Sequence, residues 1–324
     1  MDHAAPQRRA VIDVGTNSVK LLVADVAGSA ITPILEESNQ TRLGAGFYTT
    51  RQLAASAIAK TSAAVAYYSD RAKKLGAASI RLIGTSAARD AVNRNDLTSA
   101  IRMECGLPMQ VLSGTEEADW AYRGVASNPA LARQPVLVLD VGGGSTEFIV
   151  GENGASEFCH SYPLGSVRLL EQLQPADPPG LEALTRCREN LQAFLNQNVA
   201  PELEPALHRC KGFPELVGTS GTASILARME ARTDTFDRGM IEATTLSLFR
   251  ISGLLEELWQ LPLAERRKIP GLPPDRADVI ATGIAIYEAI MTRFGFRNLR
   301  ISTRGLRYWA LLQPLAQEVA PATF

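Results

Sequence analysis

The chain has 324 residues, 46% of them hydrophobic and 21% charged, with a net charge of −1. That length allows two domains, each with a sizeable core, and the composition is ordinary for a globular protein. A balance this near neutrality offers no global attraction for nucleic acid, a membrane surface or a polyanion, so no nucleic-acid or membrane partner is expected and any anion site must be built locally. Cys105, Cys159, Cys187 and Cys210 are scattered without zinc spacing, and His3, His160 and His208 lie far apart, which argues against a metal cage or a histidine triad. No stretch reaches the roughly 18 to 20 apolar residues of a membrane helix, and no secretory pattern opens the chain. With cysteines of a reduced type, the expected location is the cytoplasm.

In chain order, Val11 to Val14 is an apolar strand, followed by a turn and a second strand at Val19 to Val23. The stretch from Arg42 to Gly46 reads as a loop. Residues 51–75 carry apolar residues at helical spacing (Leu53, Ile58, Val65, Tyr68, Ala72), and Gly76 is a stop. Ser79 to Ile83 is a short strand ending at Gly84-Thr85-Ser86. A helix through Arg89 and Asp90 follows, with Asp96 expected to cap the next one. Met109 to Leu112 is a strand, and Ser113-Gly114-Thr115-Glu116-Glu117 opens a helix with acids in its first turn. The second half repeats the plan: three strands over 135–161, a helix from Gly165 or Ser166, and a long helix from about Leu181 to Asn198. A strand at Glu215 to Val217 ends in Gly218-Thr219-Ser220-Gly221-Thr222. Mostly helical sequence follows, broken at Ile269 to Pro274. A buried helix over 276–293, a strand at Leu299 to Ser302 and a terminal helix from about Gly305 complete the chain. Hairpin, then alternating helix and strand, is α/β order.

The first strand and turn have a near copy: Ile12-Asp13-Val14-Gly15-Thr16-Asn17-Ser18 matches Leu139-Asp140-Val141-Gly142-Gly143-Gly144-Ser145, which runs on into Thr146. Each is an apolar strand ending in Asp, then a glycine turn with hydroxyl residues. Such a turn can aim successive backbone N–H groups into one concavity, which suits phosphate oxygens. Two of them, one per half, point to related lobes clamping a phosphate chain. Asp140 and Glu147 lie seven apart across the second turn. Oxygen-only ligands beside phosphate favour Mg²⁺. Glu116 or Glu117 is a candidate general base for water, and the residue types alone do not choose between them. Arg89, after the Gly84 turn, suits bidentate phosphate contact, with Lys20, Arg168 and Arg307 weaker candidates.

Together these stretches resemble the exopolyphosphatase and guanosine-pentaphosphate phosphatase (Ppx/GppA) family, within the acetate/sugar kinase, Hsp70 and actin superfamily. The resemblance also covers Gly84 to Ala91, Ser113 to Ala118, Pro163 to Leu169 and Ile269 to Leu272. It implies two ribonuclease-H-like lobes with the active site in the cleft between them. They are expected over 1–125 and 126–309, with a terminal helix at about 310–324 packed back on the first. The resemblance implies Glu117 as the catalytic glutamate, Arg89 as a phosphate contact, and Asp140 and Glu147 as the acids that hold Mg²⁺. It further implies a short, two-domain member and a homodimer. Where the family usually has a second Gly after Leu-Arg, this chain has Trp309, expected to narrow the cleft or to cover the helix packing there.

The expected activity is release of terminal orthophosphate from inorganic polyphosphate by Mg²⁺-assisted water attack. Guanosine pentaphosphate hydrolysis by the same site is the near alternative. A kinase of the superfamily, or a non-catalytic phosphate or nucleotide sensor, are the others.

Overall fold

The computed structural model describes residues 5–314. The first half forms β1 (Gln7–Val14), β2 (Val19–Ala27), β3 (Ala30–Asn39), α1 (Phe47–Thr50), α2 (Ala55–Lys74), β4 (Ser79–Gly84), α3 (Ser86–Asp90), α4 (Arg94–Cys105), β5 (Met109–Val111) and α5 (Gly114–Ala126). The second begins with β6 (Val136–Val141), β7 (Thr146–Glu152), β8 (Ala155–Tyr162), α6 (Ser166–Leu173), α7 (Gly180–Phe194), α8 (Ala200–Arg209), β9 (Glu215–Thr219) and α9 (Ser220–Ala231). It continues with α10 (Arg238–Ala243), β10 (Thr245–Ser247), α11 (Leu248–Gln260), α12 (Leu263–Arg266), α13 (Ile280–Phe294), β11 (Asn298–Ile301) and α14 (Leu306–Leu312).

Each half builds a sheet on one plan. The first has strand order β3-β2-β1-β4-β5, the second β8-β7-β6-β9-β11 with β10 added at its edge. In both, an antiparallel three-stranded meander leads into parallel strands reached by helical crossovers. These are two ribonuclease-H-like lobes, the actin-like arrangement. Alternate residues of β1 and β2 bury against opposite layers, Ile12, Val14, Leu21 and Val23 toward α2, and Val11, Leu22 and Ala24 toward α14. Burial on both faces is why these strands read as continuous apolar runs.

Two helices cross between the lobes. The apolar face of α5 (Ala118, Ala121, Tyr122, Val125) packs on the second sheet at Val136, Val138, Ile149 and Val217. In return Leu306, Tyr308, Ala310 and Leu311 of α14 pack on the first sheet. The two helices touch each other where a Cβ on Gly124 would lie 2.0 Å from the Gly305 carbonyl oxygen, so only glycine permits the approach. A cut at residue 125 therefore falls at the end of a shared helix. The stretch 315–324 of the expected terminal helix lies outside the described residues.

Three local expectations are corrected. Asn93, not Asp96, is the N-cap residue of α4. Its side-chain carbonyl accepts from Leu53 N, and its amide donates to Asp96 in the first turn. The helix begun at Gly180 does not stop near Asn198 but passes through a π-helical turn at Leu195–Val199 into α8. Pro201 and Pro205 both lie beyond that π-helical turn, where neither has an N–H to give to the preceding turn of helix. The three-residue strand β10 has too little sequence to show a period and is set by pairing with β11.

Candidate active site

The two glycine turns face each other across the cleft. Gly15 N donates to Ser18 O and Gly142 N to Ser145 O, each at 3.0 Å, closing equivalent tight turns. The carbonyls of each turn are engaged from outside. Thr16 O and Asn17 O accept from Gly44 N and Arg42 N, while Gly142 O and Gly143 O accept from Ser166 N and Val167 N. Arg168 Nε donates to Gly144 O at 2.8 Å and its guanidinium stacks on Tyr48. Arg168 thus supports the turn from behind. The backbone N–H groups of Thr16, Asn17, Gly143 and Gly144 have no acceptor among the described residues. A Cβ on Gly144 would meet Tyr48 Oη at 2.2 Å and Ser86 Oγ at 2.4 Å, so the close approach of three segments requires glycine there.

Between the turns lies a cavity of about 80 Å³, lined by Asp13, Gly15 to Ser18, Glu117, Asp140 and Gly142 to Ser145. Lys20, Thr85, Ser86, Thr219 to Gly221, Arg276, Thr303, Arg307 and Tyr308 are also on the wall. The lobes are held together around it by Arg42 to Asp278 at 2.7 Å and by Gly46 N to Glu171 at 2.6 Å. Glu36 of β3 is gripped by both Arg307 and Arg238; burial alone would raise its carboxyl, but the two guanidinium groups hold it below the ordinary range.

Local chemistry separates the two glutamates. Ser113 Oγ accepts from Glu116 N, and the Glu116 carboxylate accepts from Ser113 N at 2.8 Å, a capping box. Glu116 is therefore engaged at the helix end, and Glu117 turns into the cleft. The Ser-x-x-Glu spacing carries that distinction in the sequence. Glu117 is 8% exposed and accepts from Arg89 at 2.6 Å. Burial drives its carboxyl up to about 7, against the pull of Arg89 and with repulsion from Asp140 and Asp13 adding to it. Arg89 itself stands behind Glu117, also donating to Leu112 O, rather than on the cavity wall.

Asp140 stands directly opposite Glu147 in the β6–β7 pairing, and Asp13 directly opposite Lys20 in β1–β2. Asp140 accepts from Ser220 Oγ at 2.6 Å. Ser220 holds a left-handed backbone (φ 69°) at the β9–α9 junction, a conformation unfavourable for serine that places its hydroxyl on the aspartate. Glu147, 1% exposed, is set back from the cavity wall and accepts from Ser161 at 2.7 Å. Desolvation raises Asp13, Asp140 and Glu147, and their neighbouring carboxylates push Asp140 and Glu147 further. Asp13 Oδ1 is buried with no hydrogen-bond partner. No group of three acid, histidine or cysteine ligands suited to a metal occurs among the described residues. A donor set of one or two carboxylates beside phosphate oxygens is what Mg²⁺ takes, since it keeps most of its waters. The orphaned Asp13 oxygen and the mutually repelling acids fit such a cation.

Residues 22–318 match the Ppx/GppA phosphatase family. The chain belongs to that family. It is 33% identical over 313 residues to exopolyphosphatase 2 of Mycobacterium tuberculosis, covering 91% of this chain and 94% of that protein. The crystal structure of the Aquifex aeolicus family member superposes with a TM-score of 0.76 at 28% identity, covering 95% of this chain and 97% of that one. An exopolyphosphatase from Cytophaga hutchinsonii superposes at 0.84 with 26% identity, over 94% and 96% of the two chains. The chain is a phosphoanhydride hydrolase with the family's two-lobe fold.

Trp309 does not narrow the cleft. It lines a surface recess with Arg133 and Leu312, and the Arg123 guanidinium lies 5.0 Å over its ring, while Tyr308 takes the cleft side. Arg276, Thr303 and Tyr308, which no motif in the sequence marks, reach the site through the tertiary packing of segments far from the glycine turns in the chain. No helix is long and apolar enough to cross a membrane among the described residues.

Proposed function

We propose that this chain is an exopolyphosphatase that releases terminal orthophosphate from inorganic polyphosphate. The observation that carries the reading is Glu117, a buried carboxylate near 7 on the same cavity as the free N–H groups of both glycine turns. A general base tuned to the working pH beside a preorganised anion cradle is what hydrolysis of a phosphoanhydride needs. The names of the Mycobacterium tuberculosis and Cytophaga hutchinsonii relatives support polyphosphate as substrate.

In this reading the free N–H groups of Thr16, Asn17, Gly143 and Gly144 receive the oxygens of the terminal phosphoryl group. Glu117, oriented by Arg89, takes a proton from the attacking water. The water oxygen bonds to phosphorus as the bond to the next bridging oxygen breaks, and the leaving chain carries away the negative charge. Positioning and charge stabilisation supply most of the acceleration in such transfers. Asp140 and Asp13 would hold Mg²⁺, with Glu147 behind them, and the ion would neutralise charge on the phosphoryl oxygens.

The test is orthophosphate release by purified protein with Mg²⁺, comparing polyphosphate with guanosine pentaphosphate. Glu117→Gln should lower turnover at least ~100-fold, the lower end of general-base contributions, with polyphosphate binding retained. Unchanged turnover in that variant, or hydrolysis of guanosine pentaphosphate alone, would overturn the reading.

A further inference from the structure

A second recess of about 230 Å³ opens beside the cleft. Lys20, Gly221, Arg276 and Arg307 form the wall the two share. The far side is made by Arg228, Ile225, Phe236 and Pro273. Helix α9 runs along it, so Arg228 lies about 10 Å beyond Gly221 along the helix axis.

The charges in this recess are unevenly matched. Arg307 is committed to Glu36, and Glu37, which also lines the recess, pairs with Arg71. Arg276 is only 9% exposed and makes no ion pair among the described residues. Its Nε has no partner, and its single side-chain bond is to Gln40 at 3.3 Å. Arg228 Nε is likewise buried without a partner, while Nη2 donates to Asp234 O at 2.8 Å and lies 4.0 Å from the exposed Asp234 carboxylate. Lys20 forms no ion pair among the described residues either; its neighbour across the strand is Asp13. A buried cation without a counter-charge is costly, and an anion in the recess would relieve that cost at Arg276 while also meeting Lys20 and the partnerless Nε of Arg228. The acids Asp13, Asp140 and Glu117 all lie on the cleft side, whereas Glu36 and Glu37 of the recess are each already paired with arginine. An anionic chain whose end sits at the turns therefore has one favourable direction to run.

We propose that this recess is the subsite for the leaving side of the substrate chain, and that Arg228 makes the enzyme select on chain length. Lys20 and Arg276 take the phosphates next to the scissile one, and Arg228 takes those further out. This rests on the polyphosphate reading above. Guanidinium groups suit such oxygens through paired N–H donors, and Lys20 through its point charge.

The experiment measures KM and kcat for orthophosphate release with Mg²⁺ on tripolyphosphate and on a series of longer chains. Wild type is compared with Arg228→Gln and Arg228→Lys. A charge-assisted hydrogen bond is worth enough that KM for the longer chains should rise about 10-fold or more in Arg228→Gln. KM for tripolyphosphate and kcat at every length should move little, and Arg228→Lys, which keeps the charge, should fall between. An equal KM shift at all lengths, or none at any, overturns the proposal, and Arg228→Lys decides it if the glutamine variant does not fold. If Arg228→Gln raises KM for guanosine pentaphosphate but not for polyphosphate, the recess belongs to a nucleoside and the proposal fails. A wild type that releases no orthophosphate from any chain overturns the functional reading itself, a different result from either.

Discussion

The two glycine hairpins are alike in backbone and unlike in charge. Both close through an N–H to carbonyl bond of 3.0 Å, both carry N–H groups with no acceptor among the described residues, and both have an aspartate next to the end of their first strand. Across the strand pair, however, Asp13 faces Lys20, whereas Asp140 faces Glu147. One position on the neighbouring strand thus sets a cation opposite the first aspartate and leaves the second hairpin with two acids in a desolvated site. The lesson is that a repeated backbone cradle can be divided between binding and chemistry by the residue opposite a single aspartate. In this enzyme the second lobe holds the acid pair, and Glu117 is delivered over it by the shared helix α5.

The largest effect that would break this comparison is expected at Asp140. Asp140→Asn should raise the Mg²⁺ concentration for half-maximal activity at least ~100-fold, against about 10-fold for Asp13→Asn, where Lys20 remains opposite. A Mg²⁺ titration of orthophosphate release reads both, and equal shifts would show that the two aspartates are equivalent.

A smaller effect separates the turns themselves. A Cβ on Gly144 meets two hydroxyl oxygens inside 2.5 Å, whereas one on Gly15 meets only Ser18 O, at 3.2 Å. Gly144→Ala should therefore lose about 1–3 kcal/mol of stability by overpacking, and Gly15→Ala clearly less. Denaturant unfolding measures the difference, and a milder Gly144→Ala would mean that the cleft is more open in solution.

The gentlest test is pH. Glu117 has a folded-state carboxyl of about 7, above its ordinary value near 4.5. Folding then takes up a proton between those values, so metal-free stability falls as pH rises from near 4.5 to about 7 and this contribution is flat above. Glu117→Gln should remove that part of the slope in a pH series of thermal unfolding. Mg²⁺ should recover stability at the alkaline end, because a cation offsets the acid pair. An unchanged slope in the variant would place the titration on Asp13, Asp140 or Glu147 instead.

By itself the sequence determined the repeated strand–turn–strand pattern, because tight turns with free amides need glycine at particular places. It also made the helix within 51–75 and its stop at Gly76 legible, since these depend only on near neighbours, whereas the choice between Glu116 and Glu117 came from the capping box seen in the structure. The tertiary structure alone decided which side chains share the cleft. Arg276 and Tyr308 arrive from segments far along the chain, and no spacing predicts their meeting with Asp13. The same holds for Arg89, whose partner proved to be Glu117, and for Trp309, turned outward onto Arg123. Local propensities act through a few residues of chain, whereas charge, burial and close approach act through space. The electrostatics of this site therefore belong to the tertiary structure and not to any local stretch of chain.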